Sequence, residues 1–342
     1  MPDTLPRIYK SILVTGGAGF IASRTLCRLV QAYPECMFIN IDSLTYAADL
    51  GRLESTKDCS NYKFYQMDII DSDAVSNLFE AESASGRPID VVMHFAAETH
   101  VDNSFGNSFS FTKTNVLGTH VLLEAVKKFG IKLFLHVSTD EVHGPTGEGE
   151  TASVESVLAP TNPYSASKSG AELLVRAYQT SFGIPVIITR GNNVFGNHQH
   201  PEKIIPKFIC QILTGRTITI HGDGSHQRNY LFVDDVAAAF DTILHCGEIG
   251  HIYNIGGSTE RTNLEIAQAV AAGTNKRCVV EFVDDRPFND LRYSIDSSAL
   301  KALGWSEQVP WEDGLRMTIE WYQNHAYSEQ VLERVLTAHP SN

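Results

Sequence analysis

Several features that define other kinds of protein are missing from this sequence. No apolar run approaches the ~20 residues that span a bilayer, and residues 1–10 are too short and polar for a signal peptide. The six cysteines are scattered, with no Cys-x-x-Cys spacing, so we expect free, buried thiols in a reducing compartment, the cytoplasm. The 13 histidines include no His-Glu-x-x-His pattern, and no metal site is predicted.

Positive charge is also scarce. The 342 residues carry 27 Lys and Arg against 40 Asp and Glu, a net charge of −13. This balance argues against a nucleic-acid or anionic-membrane partner, because such surfaces attract basic proteins. A nucleotide ligand would need locally placed Arg and Lys for its phosphates. The length suggests about two domains, and the 43% hydrophobic content is typical of a globular protein.

The first apolar run leads directly into a glycine-rich turn. A predicted strand at 11–15 is followed by Gly-Gly-Ala-Gly-Phe-Ile-Ala at 16–22, in which residues 17–22 fit G-x-G-x-x-[G/A] and open a helix at about Ser23. Such a turn brings backbone close to a pyrophosphate at the helix N-terminus. After the next predicted strand, at 37–41, Asp42 stands where a carboxylate binds the adenosine ribose and repels a 2′-phosphate. The pattern predicts NAD rather than NADP.

Strands and helices alternate through the first half of the chain. Further strands are predicted at 62–67, 91–97, 133–138 and 186–190, and helices at 74–84, 108–129 and 163–182. This alternation predicts an α/β fold with a doubly wound parallel sheet. Asp68, after the third strand, is placed to meet the adenine, and the small Ala96 and Ala97 let the cofactor lie across the end of the fourth.

A Gly-, Asn- and Pro-rich stretch after Arg190 marks a boundary. We predict an NAD-binding domain at 1–190, with a returning segment near 228–257, and a smaller, partly discontinuous α/β substrate domain at 191–330. The second part has predicted helices at 204–214, 234–245 and 263–272, and predicted strands at 218–221, 252–255 and 279–283, with another opening at Gln227.

Tyr164 and Lys168 are four residues apart, on one face of the helix predicted at 163–182. A positive charge ~4 Å from a phenol, at an effective dielectric constant of ~20, would lower the phenol's pKa by roughly three units, to near 7. That value suits a general base. A lone Tyr-x-x-x-Lys is more often a surface pair, so the motif gains weight only from what precedes it.

Two adjacent carboxylates, Asp140 and Glu141, follow the strand predicted at 133–138. The carboxyl ends of parallel strands are where α/β sheets bind ligands. Adjacent strand residues point to opposite faces, so both carboxylates can serve one substrate only if the backbone turns at Thr139. A solvated acidic loop is the commoner alternative, but the position ahead of Tyr164 and Lys168 favours catalysis.

Basic residues are concentrated in loops of the second part. Lys203, Arg228, Arg286 and Arg292 could together hold a diphosphate. Taken singly, each is more often a surface salt-bridge residue.

These motifs together closely resemble the extended short-chain dehydrogenase/reductases and, within them, the nucleotide-sugar 4,6-dehydratases. The resemblance covers roughly residues 10–322 and includes His-Phe-Ala-Ala-Glu-Thr-His-Val-Asp at 94–102, Pro-Glu-Lys-Ile-Ile-Pro at 201–206 and Tyr-Asn-Ile-Gly-Gly at 253–257. Residues 100–109, 189–194 and 286–290 resemble the UDP-glucose 4,6-dehydratase module of UDP-rhamnose synthases more than the dTDP-glucose enzymes. Those enzymes typically carry Gly-His where this chain has Phe288-Asn289.

The resemblance implies a role for each motif residue. Tyr164 would take the C4 hydroxyl proton, Lys168 would lower its pKa and bind the nicotinamide ribose, and Thr139 would bind the C4 oxygen. Glu141 would remove the C5 proton and Asp140 would protonate the departing C6 hydroxyl. Besides Tyr164 and Lys168, the implied NAD-binding residues are Gly16, Gly19, Phe20, Ile21, Asp42, Asp68, Ile69, Ala96 and Ala97. The implied substrate-binding residues are Thr99, Asn193, Glu202, Lys203, Arg228, Asn263, Arg286 and Asn289.

The chain departs from the family pattern at His143, where Tyr is usual, and at Ala22, where the third glycine is usual. Neither change is expected to matter for catalysis. The implied reaction converts UDP-glucose to UDP-4-keto-6-deoxyglucose. Alternatives are dTDP-glucose as substrate, a nucleotide-sugar 4-epimerase, or a non-catalytic NAD-binding protein.

The resemblance also implies a homodimer formed by the helices at 108–129 and 163–182. Their apolar residues Val121, Leu122, Leu173 and Leu174 are predicted to face outward. Ordinary core packing explains them equally well.

Overall fold

Two groups of strands make up the fold. The computed structural model describes residues 7–285, 290–325 and 327–336, so the predicted site residues Arg286 and Asn289 lie outside the described residues. The strands are Ser11–Thr15 (β1), Met37–Asp42 (β2), Tyr62–Gln66 (β3), Val91–His94 (β4), Leu133–Thr139 (β5), Val186–Gly191 (β6), Asn193–Phe195 (β7), Ile218–His221 (β8), Gln227–Phe232 (β9), Ile252–Ile255 (β10), Thr259–Thr262 (β11) and Val280–Val283 (β12).

Helices connect and cover these strands. In chain order they are Phe20–Ala32 (α1), Ser72–Ala84 (α2), Val101–Gly106 (α3), Ser108–Phe111 (α4), Gly118–Phe129 (α5), Pro163–Phe182 (α6), Ile204–Leu213 (α7), Val233–Cys246 (α8), Asn263–Thr274 (α9), Ser298–Ala302 (α10), Trp311–Asn324 (α11) and Glu329–Leu336 (α12).

The larger sheet has seven parallel strands in the order β10-β6-β5-β4-β1-β2-β3. Each face is sealed by an apolar cluster, one with α1 and α8 and the other with α2, α5 and α6. Strands buried on both faces read as continuous apolar runs, which is why the sequence shows them clearly. The predicted doubly wound parallel sheet is confirmed.

The second group of strands forms two small sheets, β11-β9-β7 and β12-β8. A third apolar cluster gathers α7, α9, α11 and α12 against them. The strand β10 leaves this part of the chain and pairs in parallel with β6 at the edge of the larger sheet.

Several predicted boundaries shift. Helix α1 begins at Phe20, not Ser23, because Gly19 is already its extended N-cap residue. Strand β4 ends at His94, so Ala96 and Ala97 lie in the loop beyond it. The helix predicted at 108–129 contains a wider π-helical stretch, Thr112–Leu117, in which the buried Asn115 amide pairs with the Glu98 backbone and with Ser167.

The sequence prediction omits α3, β7, β11 and α10 to α12. Strands β7 and β11 are only three and four residues long and exist through pairing with β9, which is a non-local interaction. Helix α11 is a different case. Its buried residues recur at helical spacing, so the sequence pattern could have predicted this helix. They are Trp311, Leu315, Thr318, Ile319 and Tyr322.

A fully buried ion pair ties α6 to the sheet. Arg190, at the end of β6, donates to both carboxylate oxygens of Glu172 at 3.1 and 2.5 Å, and both side chains are completely shielded from solvent. Arg190 also donates to His143 Nε2 at 3.2 Å. Breaking a buried pair leaves an uncompensated charge, so this contact specifies how α6 sits on the sheet.

Some predicted surface features are wrong. Leu122 is fully buried in the core rather than facing outward, and Val121 and Leu174 are half-buried; Leu173 is 54% exposed. All six cysteines are free, but Cys59, Cys246 and Cys278 are half-buried instead of buried. Within the described residues no helix is long and apolar enough to cross a membrane.

Candidate active site

A cleft of about 1760 Å³ runs along the carboxyl edge of the larger sheet. Its walls contain every predicted site residue that the structure describes except Arg292. These are Gly16, Gly19, Phe20, Ile21, Asp42, Asp68, Ile69, Ala96, Ala97, Thr99, Thr139, Asp140, Glu141, Tyr164, Lys168, Asn193, Glu202, Lys203, Arg228 and Asn263. The placement brings the two predicted motifs and two of the predicted diphosphate residues, Lys203 and Arg228, into one cavity.

The glycine-rich turn presents bare backbone to this cleft. Gly16 has a φ of +72°, and a Cβ there would lie 2.7 Å from the Ala96 Cα atom, so both conformation and space require glycine. Gly19 caps α1 with no side-chain hydrogen bond. The first amides of α1 are therefore open to an anionic ligand such as a pyrophosphate.

Asp42 stands beside this turn and is mostly buried. Its Oδ2 accepts from the Ala18 amide at 2.9 Å and its Oδ1 from the Leu44 amide at 2.8 Å. A carboxylate has about four acceptor positions, so ribose hydroxyls can still bind. Asp68 is exposed on the next strand's loop, and its neighbour Ile69 is buried. These residues fit the adenosine half of a dinucleotide.

A sharp turn places the two adjacent carboxylates in one cavity. Thr139 ends β5 in an extended conformation, and a 3₁₀ turn, Asp140–His143, begins immediately after it. The Thr139 hydroxyl accepts from the Glu141 amide at 3.4 Å and caps the turn. The backbone turn that the sequence required at Thr139 is present.

Asp140 is held in a buried, polar pocket. Its Oδ1 accepts from the Thr139 hydroxyl at 3.2 Å and its Oδ2 from the Asn192 amide at 2.6 Å. Burial, followed by the nearby Glu141 charge, raises the pKa of Asp140 to about 7. A carboxyl group with this pKa can donate a proton near neutral pH.

Glu141 has different neighbours. Its Oε2 accepts from the Asn162 side-chain amide at 3.2 Å. Burial raises the pKa of Glu141, while the charges of Arg228 and Lys203 oppose that rise. Two carboxyl groups in unlike surroundings can take opposite roles as acid and base.

Helix α6 positions Tyr164 and Lys168 because its start is tightly specified. Asn162 accepts from the Ser165 amide at 2.9 Å, the Ser165 hydroxyl pairs back, and Pro163 is the first helical residue. This capping box is a strong start signal. The predicted bounds of the helix are confirmed exactly, and the Asn162 cap also carries the amide that holds Glu141.

The predicted effect of Lys168 on Tyr164 is wrong for this structure. Burial raises the pKa of Tyr164, and the charges of Glu141 and Asp140 add to that rise despite a hydrogen bond with Thr139. Lys168 donates instead to the Val137 carbonyl at 2.6 Å, and burial lowers its own pKa to about 8. The simple phenol–ammonium pair omitted both burial and the neighbouring acids.

A buried polar row supports the cofactor side of the cleft. The His94 ring bridges the Thr15 and Thr119 hydroxyls at 2.8 and 2.9 Å, and the Thr15 hydroxyl accepts from the Ala96 amide at 3.2 Å. Burial, together with the Lys168 charge, lowers the pKa of His94 to about 3, so this imidazole is neutral. The row fixes the loop that follows β4.

The opposite wall carries two of the predicted diphosphate residues, Lys203 and Arg228. Lys203 donates to the Thr99 carbonyl at 2.8 Å, joining the two halves of the cleft. Burial raises the pKa of Glu202, but a hydrogen bond with His200 and the Lys203 charge outweigh it and bring that pKa to about 2. The Arg228 guanidinium lies 4.6 Å from the centre of the Tyr293 ring. Arg292 pairs with Glu260 at 2.6 Å and is not among the cleft residues.

Sequence reasoning missed several polar residues of the cleft. Asn162 could have been found, because Asn before Pro is an N-cap signal. Asn192, Asp290 and Tyr293 carried no such signal, since their contacts join distant parts of the chain. Asn192 reaches Asp140, while Thr161 and Tyr293 both donate to Asp290.

Comparison with known proteins identifies the family. Residues 13–318 match the GDP-mannose 4,6 dehydratase family. The chain belongs to this family.

Relatives of this chain differ in the nucleotide that their named substrates carry. The chain is 50% identical to a trifunctional UDP-glucose 4,6-dehydratase/UDP-4-keto-6-deoxy-D-glucose 3,5-epimerase/UDP-4-keto-L-rhamnose-reductase of Arabidopsis thaliana, covering 97% of this chain and 50% of that protein. The chain therefore spans about half the length of that relative. It is 45% identical to the dTDP-D-glucose 4,6-dehydratase of Mus musculus, covering 97% and 94%.

Among solved structures, the chain is similar to DesIV, a dTDP-glucose 4,6-dehydratase from Streptomyces venezuelae with NAD bound. The TM-score is 0.87 at 38% identity, covering 92% of this chain and 97% of that one. The likeness extends through both groups of strands.

The raised pKa of Asp140 predicts a specific pH dependence of stability. The unfolded carboxyl group ionises near pH 4, whereas the folded one stays protonated until about pH 7. The folded state binds the extra proton, so this group's contribution to stability falls as pH rises from 4 to 7. Replacing Asp140 by Asn should raise the free energy of unfolding by about 1–4 kcal/mol at pH 8 and change it little at pH 4.

Urea unfolding at the two pH values measures this difference. Asp58→Asn makes the same chemical change at an exposed site and should show no such pH dependence. An equal effect of Asp140→Asn at both pH values would contradict the buried, protonated acid.

Proposed function

We propose that the protein catalyses the NAD-dependent dehydration of UDP-glucose to UDP-4-keto-6-deoxyglucose. The observation that carries the proposal is the Asp140–Glu141 pair, turned into one cleft beside Tyr164 and holding an acid whose pKa is about 7. Oxidation alone needs no such pair. Elimination of water needs both an acid and a base.

The first step is oxidation at C4. Tyr164 takes the C4 hydroxyl proton, and Thr139, which lies within hydrogen-bond reach of Tyr164, binds the C4 oxygen. NAD, held by residues such as Gly16, Asp42 and Lys168, would accept the hydride from C4 and return it to C6, and its oxidised nicotinamide ring would add a positive charge. Because burial and two nearby acids raise the pKa of Tyr164, positive charge from the bound cofactor would have to offset them.

The second step is elimination across C5 and C6. A ketone at C4 makes the C5 hydrogen acidic, and Glu141 removes it. Asp140, still protonated near neutral pH, gives its proton to the departing C6 hydroxyl. The reaction as a whole is a loss of water without net oxidation, so no net oxidant is consumed.

The binding regions follow from the same assignment. Residues 1–190, with the returning segment near 228–257, would hold NAD, and Asp42 would favour it over NADP. Residues 191–330 would hold the nucleotide sugar, with Asn193, Glu202, Lys203, Arg228 and Asn263 at the cleft and Thr99 across from Lys203. Arg286 and Asn289, which lie outside the described residues, are still predicted to bind the substrate.

A 4-epimerase on the same fold is the second candidate. It would also use Tyr164, Lys168 and NAD, but it has no need of acid and base at C5 and C6. The paired carboxylates therefore favour dehydration. Incubation with UDP-glucose separates the two, because only the dehydratase forms a 4-keto-6-deoxy sugar that absorbs in the near ultraviolet after base treatment.

Nucleotide preference is the first prediction. The likeness of residues 189–194 and of Phe288-Asn289 to the UDP-glucose enzymes leads us to expect a higher kcat/KM with UDP-glucose than with dTDP-glucose. Steady-state rates with both substrates measure it. Equal values or the reverse order would overturn the UDP assignment and leave the reaction type intact.

The second prediction separates oxidation from elimination. Glu141→Gln keeps the size and can still pair with Asn162, but it cannot accept the C5 proton. Removing a general base should lower kcat by ~10²–10⁴, while bound NAD should still be reduced in a single turnover. Stopped-flow absorbance of NADH follows both events.

Glu148→Gln is the matched control, since Glu148 is exposed in the loop just beyond the turn. It should behave as wild type. Near wild-type dehydration by Glu141→Gln would show that another group is the base.

A homodimer is also proposed, through the surface of α4 to α6. Phe109 is 87% exposed and Leu173 is 54% exposed on this surface, an arrangement that favours burial against a second copy. Light scattering at micromolar concentration should give twice the chain mass, and Leu173→Asp should weaken the association. A monomeric mass for the wild type would refute the dimer.

A further inference from the structure

Asn192 joins the end of β6 to the acid of the cleft. The side chain is 5% exposed. Its Nδ2 donates to Asp140 Oδ2 at 2.6 Å, and its Oδ1 accepts from the Gly257 amide at 3.1 Å. Its own backbone amide donates to the Ile255 carbonyl at 3.1 Å. The residue is thus anchored to the strand β10 on one side and reaches Asp140 on the other.

These contacts fix the orientation of the Asn192 amide. The backbone N–H of Gly257 can only donate, so the atom facing it must be the oxygen. The NH₂ group therefore faces Asp140. Because that group can only donate, Asp140 Oδ2 must accept in both protonation states. Any proton on Asp140 is confined to Oδ1, the oxygen that lies 3.2 Å from the Thr139 hydroxyl.

We propose that Asn192 is a positioning residue that confines the acidic proton of Asp140 to Oδ1, on the Thr139 side of the carboxyl group, and keeps that proton transferable. The kinetic effects that we expect of Asn192 variants rest on the proposed function. The position of the proton on Oδ1 does not rest on it, because that position follows from the hydrogen bonds of Asn192 alone.

The second part of this role concerns how tightly Asp140 holds its proton. Glu141 on the same turn and Tyr164 on α6 lie near Asp140, and Arg228 on β9 is the nearby positive charge. Burial and Glu141 favour the neutral acid, whereas the Asn192 donor and Arg228 favour the carboxylate. Without Asn192 the acid would hold its proton more tightly and release it more slowly.

The direct test is the titration of Asp140 itself. With ¹³C-labelled aspartate, the Asp140 carboxyl signal is assigned by its loss in Asp140→Asn and followed against pH. A hydrogen bond to a charged group is worth about 1–2 pKa units, so Asn192→Ala should raise the apparent pKa of Asp140 by about that much. Asn192→Ser, which retains a donor, should give a smaller rise.

The control variant is Asn61→Ala. Asn61 is a similarly buried amide that donates to the carbonyls of Val30, Tyr33 and Cys36. It should lose stability without moving the Asp140 titration. If Asn192→Ala does not fold, Asn192→Ser is compared with wild type by the same measurement. An unchanged Asp140 titration in the folded variant overturns the proposal.

Kinetics supply the second readout. With UDP-glucose, Asn192→Ala should reduce bound NAD at a rate within about twofold of wild type, but its elimination should be about 10–100-fold slower, within the range expected for impaired general acid catalysis. The basic limb of its pH profile should move to higher pH. An equal decrease in the rates of oxidation and elimination would show that Asn192 has only a structural role. If the wild type turns over neither UDP-glucose nor dTDP-glucose, the proposed function fails, and the Asp140 titration still decides the role of Asn192.

Discussion

The chemistry of the cleft depends on one backbone turn. Asp140 and Glu141 are adjacent, and in a continuing strand their side chains would point to opposite faces of the sheet. The 3₁₀ turn that Thr139 caps brings both into a single buried cavity. Burial then raises the pKa of both carboxyl groups, while different partners, Asn192 for one and Asn162 for the other, keep their surroundings distinct. An acid and a base can thus stand side by side.

The remaining structure holds this arrangement in place. Asn162 begins α6 and also donates to Glu141, so one residue fixes both the helix that presents Tyr164 and the Glu141 carboxylate. The buried Arg190–Glu172 pair sets how α6 lies on the sheet. Leaving either charge unpaired would cost several kcal/mol, about 3–5 for pairs of this kind. His143, on the same turn as the acids, accepts from Arg190 and links the ion pair to the turn.

Local signals in the sequence were enough to predict much of the fold and part of the site. The strands of the large sheet, the glycine turn and the capping box of α6 are encoded by neighbouring residues, and each was predictable. What could not be predicted depends on contacts between distant segments. Asn192 acquires its place only because β10 returns beside β6. The rise in the pKa of Tyr164 depends on burial and on Glu141, whose proximity no Tyr-x-x-x-Lys spacing reveals.

We propose that oxidation, elimination and reduction all occur on one sugar molecule in one cleft. Conversion of UDP-glucose deuterated at C4 tests it most directly. We expect product with one deuterium at C6, none released to water, and no crossover between molecules when doubly labelled and unlabelled sugars are mixed. Loss of the label to solvent, or a stoichiometric demand for added NAD, would contradict it and indicate an ordinary dehydrogenase.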